Sequence, residues 1–438
     1  MRAGPGGARR AVINLFMKLL AIEKKVARGA VRLSGRFLRG GDSKPMEAFF
    51  EYPEEFAPLV VENADPFVPA LLLPAMAARE PVEIPLPISR RLYRNLPLIQ
   101  HILSAWYPEA LTPVPVRAEH FREAAPAANT GTGAFFSLGV DSFDTLLRHA
   151  DGAAGGPPLT HLIYMTGFES PLRLGEDGRE RPVIAAVQEA ARHWGKQAIC
   201  GRTNLRDCFS LRWGGYYHGA GLAAIALSLA RGLGRVLIPA GPAWRYFVIN
   251  PSNPVTDPMW SSEAQEIIYD GAEYVRAQKI ALTLSQNPEA LRRLRVCLVT
   301  EGGAGNCGFC NKCIRTMITL EIVGALRTCG VFPPRLPRDF WRRLEVTSAE
   351  EVHALAVFDT LEQAAAMTEI CYAALPKRVN QPEVFGYQAV VDADDNVEEL
   401  EWRLLSAPTR LTLREVGKHI HELGGLFIAA HIDRAVFS

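Results

Sequence analysis

The chain has 438 residues, of which 48% are hydrophobic and 22% charged, and its formal net charge is +1. These values are typical of a globular chain with two or three domains, and they exclude a disordered polyelectrolyte. No stretch approaches the roughly 20 apolar residues of a membrane span. The charge is uneven, because residues 1–44 carry eleven Lys and Arg against two acidic residues. The remainder is therefore mildly acidic, which argues against a nucleic-acid partner.

The basic N-terminal extension, residues 1–44, is predicted to contain an amphipathic helix over 11–33. Val12, Phe16 and Leu19 are among the apolar residues at helical spacing there, with Lys and Arg between them. Such a helix would contact a membrane surface or a polyanion. The alternative is a mobile or packed terminal extension.

Residues 45–125 are rich in proline and contain short apolar runs, followed by a predicted helix over 92–106. This composition indicates an accessory α+β domain. A linker is predicted over 124–133 because small residues and glycine are concentrated there.

From residue 134 onward, strands and helices are predicted to alternate. The strands cover 134–136, 161–165, 197–200 and 235–239, and the helices begin at Ser142 or cover 181–194 and 218–231. Repeated β–α units of this length predict an α/β fold whose parallel sheet is covered by helices on both faces. Residues 331–438 are predicted to be mainly helical, with helices over 349–367 and 413–424.

A short polar turn joins the first of these strands to the first helix. Its residues are Ser137, Leu138, Gly139, Val140, Asp141 and Ser142. Free backbone N–H groups at a helix N-terminus and serine hydroxyls suit an anion such as phosphate. Plain helix capping is the alternative explanation. The position beyond the carboxyl end of a parallel strand, where ligands of such sheets bind, favours the phosphate site.

Four of the eight cysteines form a cluster, with nine, two and two residues between successive members. They are Cys297, Cys307, Cys310 and Cys313. Cys-x-x-Cys knuckles of this kind hold a tetrahedral ion, and four thiolates make a closed structural Zn²⁺ site. An iron–sulfur cluster is the alternative. So few and so clustered cysteines predict a reducing, cytoplasmic location.

The polar turn is followed some 150 residues later by the cysteine cluster. In this combination the chain resembles the PP-loop (N-type) ATP pyrophosphatases, in particular 7-cyano-7-deazaguanine synthase and its relatives. Their signature is Ser-Gly-Gly-x-Asp-Ser, and the likeness covers residues 134–326. It implies a Rossmann-like fold of the adenine nucleotide alpha hydrolase kind. Leu138 departs from the signature, which is tolerable where that residue needs no positive φ. The segment 250–263 also departs from the substrate-binding segment of the synthase.

The resemblance implies that ATP and Mg²⁺ are cofactors and that Zn²⁺ is structural. Ser137 to Ser142 would hold the phosphates, with Asp141 near Mg²⁺. Lys279 would contact a phosphate, its alternative being a solvated surface lysine. The implied chemistry is an ATP-dependent ligase reaction, in which a carboxylate or amide oxygen of a small molecule attacks the α-phosphate. Pyrophosphate leaves, and a nitrogen nucleophile then displaces AMP.

Two other functions remain open. One is a PP-loop enzyme that inserts sulfur into tRNA, and the other is a subunit that binds ATP without turnover. On the substrate side, Asp257, Trp260 and Ser261 can form a wall or simply pack in a proline-rich loop, and His218 can be a core residue or lie at the rim. The sequence also leaves a homodimer open.

Overall fold

The structure is a computed structural model that describes residues 16–122, 131–152, 156–172, 180–209, 211–244, 249–297 and 305–337, and three strands beyond residue 385. Within these residues the main feature is a mixed sheet of ten strands with helices packed against it. The predicted α/β fold is thereby confirmed.

The N-terminal part of the sheet begins with three antiparallel strands. In chain order its elements are β1 (Met17–Ala27), β2 (Ala30–Leu38), β3 (Met46–Pro53), α1 (Phe67–Ala78), β4 (Val82–Ile84), α2 (Arg90–Trp106) and β5 (Val116–Ala118). Strands β4 and β5 continue the sheet from β1 in parallel orientation.

The helix predicted over 11–33 is wrong for the residues that the structure describes, which form β1 and β2. Arg28 and Gly29 connect these strands with φ of 56° and 75°, as a two-residue hairpin turn requires. Met17 and Leu19 are buried and alternate with more exposed residues, which is the period of a strand. Pairing with β2 therefore prevails over the helical spacing of the apolar residues. Residues 11–15 lie outside the described part.

The second part of the sheet contains the predicted β–α units. Its elements are β6 (Gly131–Phe135), α3 (Val140–His149), β7 (His161–Thr166), α4 (Arg181–His193), β8 (Gln197–Thr203), α5 (Leu205–Cys208), α6 (His218–Ser228), β9 (Leu233–Pro239) and β10 (Glu266–Asp270). All four strands predicted from residue 134 onward are present, and the helix bounds agree within a few residues.

The strands of this second part are parallel and lie in the order β10-β9-β6-β7-β8. Strand β8 pairs antiparallel with β3, so both parts share one continuous sheet. The predicted boundary at residue 44 falls between β2 and β3, which are hydrogen-bonded neighbours.

Side chains of β7 show that helices cover both faces of the sheet. Leu162 and Tyr164 belong to the apolar cluster that includes α3 and α4. Ile163 and Met165 belong to the cluster that includes α1 and α6. Helix α6 is apolar all round and buried from Gly219 to Ser228, because it packs between the sheet and α1.

Within the residues that the structure describes, four α-helices follow the sheet. They are α7 (Arg276–Leu282), α8 (Pro288–Arg293), α9 (Asn311–Ile322) and α10 (Leu326–Cys329). Farther on, β11 (Gly386–Val391), β12 (Val397–Arg403) and β13 (Arg410–Thr412) form a separate antiparallel sheet. These described elements are strands, contrary to the predicted mainly helical region, while the helices predicted over 349–367 and 413–424 lie outside the described residues. No helix in the described part of the chain is long and apolar enough to cross a membrane.

Candidate functional site

The polar turn lies where the strand order of the parallel part reverses. Strand β6 has β7 on one side and β9 on the other, and the turn Ser137–Ser142 connects β6 to α3. A cavity of about 410 Å³ opens at this end of the sheet. Ser137, Gly139, Asp141 and Ser142 line it. The structure therefore brings four of the six predicted phosphate-binding residues to one cavity, while Leu138 and Val140 pack in the core.

Leu138 adopts a left-handed backbone conformation with φ of 64° and is only 1% exposed. The condition under which leucine was expected to be tolerable is therefore not met. An L-residue in this conformation costs roughly 1–2 kcal/mol. The side chain compensates by packing in the apolar cluster of α3 and α4, and the carbonyl oxygen accepts a hydrogen bond of 2.8 Å from the backbone N–H of Arg295.

Ser142 holds the turn from inside. Its hydroxyl donates to the carbonyl oxygen of Gly139 at 3.0 Å and accepts the backbone N–H of Ser137 at 3.4 Å. The side chain is 4% exposed. Ser142 therefore fixes the shape of the turn, and the Ser137 side chain and the first turn of α3 remain to face the cavity.

The two predicted catalytic residues, Asp141 and Lys279, are in contact. Lys279 is 1% exposed, so it is not a surface lysine. Its Nζ lies 3.2 Å from Oδ1 of Asp141 and donates to the carbonyl oxygen of Ala240 at 2.5 Å. Nη1 of Arg276 lies 2.5 Å from Oδ2 of the same carboxylate. Both oxygens of Asp141 thus have a cationic partner.

Burial acts to raise the pKa of Asp141, but the positive charges of Arg276, Lys279 and Lys312 outweigh it and leave the pKa below its ordinary value. The carboxylate is therefore ionised at neutral pH. A Mg²⁺ ion can bind Asp141 only by sharing an oxygen that Lys279 or Arg276 now contacts.

Sequence reasoning missed two cations of this site. Arg276 lies one helical turn before Lys279 on α7, which places both on one side of that helix. Lys312 lines the cavity from the start of α9. The position of Lys312 between Cys310 and Cys313 was a sequence signal for this role. If the cysteine group packs beside the turn, residues next to the cysteines can reach the cavity.

A second network of charged side chains, centred on Arg148, holds α3 in place. Nη2 of Arg148 lies 2.7 Å from Oδ2 of Asp270 at the end of β10, and its Nε lies 3.1 Å from Asp144. Thr283 donates to Asp144 at 2.7 Å. These bonds fix α3 against β10 and the end of α7, and so they fix the direction in which the turn points.

The opposite side of the cavity is formed by α6 and by a hydrogen-bonded loop, residues 250–257. His218, Asn250 and Ser252 line the cavity. Asp257, Trp260 and Ser261, for which both a wall and simple packing in the loop were open, are at most 1% exposed and do not line the cavity, so they pack in the loop. In this loop the wall therefore consists of residues that precede these three in the chain, namely Asn250 and Ser252.

Two titratable groups on this side are strongly affected by burial. Burial, with the charges of Arg206 and Lys312, lowers the pKa of His218 to about 4, so the imidazole is neutral. Burial raises the pKa of Asp257 to about 7, although hydrogen bonds from Ser252 and the backbone of Asn253 oppose this shift. Asp257 is therefore ionised mainly above neutral pH.

The four predicted metal ligands converge. The Sγ atoms of Cys297, Cys307, Cys310 and Cys313 all lie within 4.8 Å of one another. Cys297 and Cys310 are 3.9 Å apart, and Cys307 and Cys313 are 3.8 Å apart. A tetrahedral ion with Zn–S bonds of about 2.3 Å spaces its sulfurs by about 3.8 Å. The group could hold a zinc ion, and one ion fits this spacing better than a polynuclear cluster.

The knuckle is preorganised by backbone hydrogen bonds. Sγ of Cys307 accepts the N–H groups of Phe309 and Cys310 at 3.5 and 3.2 Å. Asn306 accepts the N–H groups of Val296 and Cys297 at 2.8 and 3.2 Å. These bonds hold the first cysteine segment beside the knuckle, and Arg295 in that segment donates to Leu138. The cysteine group and the polar turn are therefore directly connected.

Comparisons of this chain with protein-family models, with curated proteins and with solved structures found no match. The resemblance to the PP-loop enzymes consequently depends on two features of the chain itself. These are the polar turn, which lies at the strand reversal, and the cysteine group, whose ligand atoms converge.

The backbone strain at Leu138 predicts an unusual order of stability. Leu138→Ala and Leu138→Gly both remove a buried side chain, which costs about 2–5 kcal/mol. Only glycine also relieves the positive φ, so we expect Leu138→Gly to be more stable than Leu138→Ala by about 1 kcal/mol in urea unfolding. Leu146 in α3 is a matched control, because it is equally buried but helical. There, alanine should exceed glycine by about 1 kcal/mol. The same order at both positions would contradict the strain.

The convergence of the four thiols predicts one zinc ion per chain. Elemental analysis of the purified protein should find zinc and not iron, and Cys310→Ser should lose it together with several degrees of thermal stability. Cys200→Ser is the control, since Cys200 is a free cysteine outside the group, and it should keep the metal. Iron with sulfide, or full zinc content in Cys310→Ser, would show that the assignment is wrong.

Proposed function

We propose that this chain binds ATP at the polar turn and uses it to activate a carboxylate or amide oxygen of a small molecule. Activation releases pyrophosphate, and a nitrogen nucleophile then displaces AMP. The observation that carries the proposal is the position of the Ser137–Ser142 turn, which lines a cavity at the point where the strand order reverses.

The strand order supports a Rossmann-like nucleotide site. Counted from β6, the parallel strands have the order 3-2-1-4-5. In doubly wound sheets of this order, ligands bind beyond the carboxyl ends of the strands at the reversal point. The turn after β6 occupies that point, and the N-terminus of α3 provides backbone N–H groups and a partial positive charge toward the cavity.

The charges around the turn suit a polyphosphate. Lys312 lines the cavity from α9, and Arg276 and Lys279 form ion pairs with Asp141. Such fixed cations stabilise the negative charge that develops on the α-phosphate and on the leaving pyrophosphate, without reorganising at the moment of reaction. Phosphoryl chemistry needs this positioning more than it needs a protein nucleophile, and none is proposed.

The size and the walls of the cavity are compatible with a nucleotide beside a small acceptor. Its volume of about 410 Å³ falls within the usual range for ligand sites, about 300–1,000 Å³. Ile163, Met165 and Ile238 provide apolar surface for a planar base.

Asp141 is the residue that would hold Mg²⁺, which neutralises phosphate charge when bound. In the described structure its two oxygens contact Lys279 and Arg276. Anionic phosphates in the cavity would attract both cations, which would free a carboxylate oxygen for the metal. Zn²⁺ in the cysteine group would act at a distance, by holding Lys312 and the Arg295–Leu138 hydrogen bond in place.

The same geometry leaves room for one alternative, a subunit that binds ATP without turnover. The observation in its favour is that Asp141 has no oxygen without a cationic partner. Binding and turnover must therefore be measured separately.

Binding is tested with α,β-methylene ATP and Mg²⁺ by isothermal titration calorimetry. Lys312→Ala should weaken binding about tenfold or more, because a charge-assisted hydrogen bond contributes about 1.5–3 kcal/mol. Lys196→Ala is the control, because Lys196 donates to the carbonyl oxygen of Ala150 and does not line the cavity. Zinc content is checked in both variants. No binding by the wild type, or equal binding by Lys312→Ala, would refute the site.

Turnover is tested by incubating the protein with ATP and a small-molecule extract. The proposal predicts AMP and pyrophosphate in equal amounts, with activity lost in Asp141→Asn. Release of ADP and phosphate would contradict the proposed chemistry. Tight binding with no AMP under any condition would instead favour the non-catalytic subunit.

A further inference from the structure

The side of the cavity opposite the polar turn consists of uncharged polar groups held in fixed orientations. His218, Asn250 and Ser252 line it, and no charged side chain of the described residues does so between α6 and the 250–257 loop. Charged lining groups, among them Asp141 and Lys312, come from the turn, from α9 and from the end of β7. The lining groups that an acceptor would meet between α6 and the loop are thus polar and uncharged, while the charge of Lys312 also acts on His218.

The 250–257 loop is rigidly built. The side-chain oxygen of Asn253 accepts the N–H groups of Val255 and Thr256 at 2.9 and 2.8 Å, and its amide nitrogen donates to the carbonyl oxygen of Asn250 at 2.8 Å. Gly219 in the first turn of α6 packs directly on this loop, because a Cβ there would overlap the carbonyl oxygen of Pro251. The loop and His218 are therefore held against each other.

The hydroxyl hydrogen of Ser252 is already engaged in a hydrogen bond. Its Oγ donates to Oδ2 of Asp257 at 2.6 Å, and Asp257 is 0% exposed. Because this hydroxyl donates to Asp257, only its lone pairs are available to a ligand in the cavity. A ligand that meets Ser252 must therefore bring an N–H or O–H donor, and a carboxylate, which only accepts, is disfavoured.

His218 can donate a hydrogen bond to a carbonyl oxygen on the same ligand. Its ring packs edge-on to Phe168 and Trp213, with centroids 4.9 and 6.3 Å away. Within the described part of the chain the ring nitrogens have no hydrogen-bond partner, and the residue lines the cavity. A neutral imidazole has one N–H donor, which can point at a carbonyl oxygen.

We infer that Ser252 and His218 recognise a primary amide, with Ser252 accepting its N–H and His218 donating to its carbonyl oxygen. Asp257 is the positioning residue that orients Ser252. The inference deepens the proposed function and rests on it in one respect, since it takes the amide, and not a carboxylate, to be the group that ATP activates.

Benzamide and benzoate test this selection, because they match in shape and differ in donors and charge. Binding of each is measured by ligand-observed NMR titration at pH 8, where Asp257 is ionised, with and without α,β-methylene ATP and Mg²⁺. We expect benzamide to bind about tenfold tighter than benzoate. Ser252→Ala should reduce that preference to about threefold or less. Ser262→Ala is the control, because Ser262 follows the loop but does not line the cavity.

The role of Asp257 is tested by a pair of variants. Asp257→Asn keeps an oxygen that can accept from Ser252, so it should retain the preference for benzamide. Asp257→Ala should lose the preference, while the affinity for α,β-methylene ATP stays unchanged in both variants. Equal binding of benzoate, binding of neither probe, or a preference that survives Ser252→Ala would overturn the inference. Because nucleotide affinity is measured separately, loss of nucleotide binding alone would count against the proposed function and not against the amide site.

Discussion

A cluster of charges around the buried Lys279, next to the polar turn, determines how the site is arranged. Lys279 is almost inaccessible to water, and an isolated buried ammonium would be prohibitively costly. Asp141 and the carbonyl oxygen of Ala240 compensate for that cost, while Arg276 occupies the second carboxylate oxygen. Removing one partner of such an arrangement typically costs about 3–5 kcal/mol. The cluster therefore fixes α7 against α3 and leaves a net positive charge beside the turn.

The cysteine group acts on the same turn from the other side. Asn306 and the knuckle hold the segment 294–297 in place, and Arg295 from that segment supports the left-handed Leu138. Lys312, next to two of the ligands, reaches into the cavity. A metal held by these cysteines would thus affect the turn and the cavity through Arg295 and Lys312. The strained leucine is tolerated because packing, a hydrogen bond and the metal-binding segment all constrain it.

The sequence predicted the local features well. The β–α units from β6 to β9 and the four convergent cysteines follow from hydrophobic pattern and spacing, which are short-range signals. Pairing of distant strands is not such a signal. The local pattern therefore predicts a helix over 11–33, whereas residues 17–33 lie in β1 and in β2, which pairs with β3. Arg276 was missed for the same reason, because only the tertiary packing of α7 brings it to the turn.

Binding of the phosphates of ATP by the turn after β6 is the central proposal for this protein. A crystal structure of the protein with α,β-methylene ATP and Mg²⁺ tests it most directly. We expect phosphate density within hydrogen-bond distance of the backbone N–H groups of residues 139–142 and of Lys312, with the base against the apolar wall of β7 and β9. Nucleotide bound elsewhere, or no phosphate beside the turn while Asp141 keeps its ion pairs with Lys279 and Arg276, would show that the proposed phosphate site is wrong.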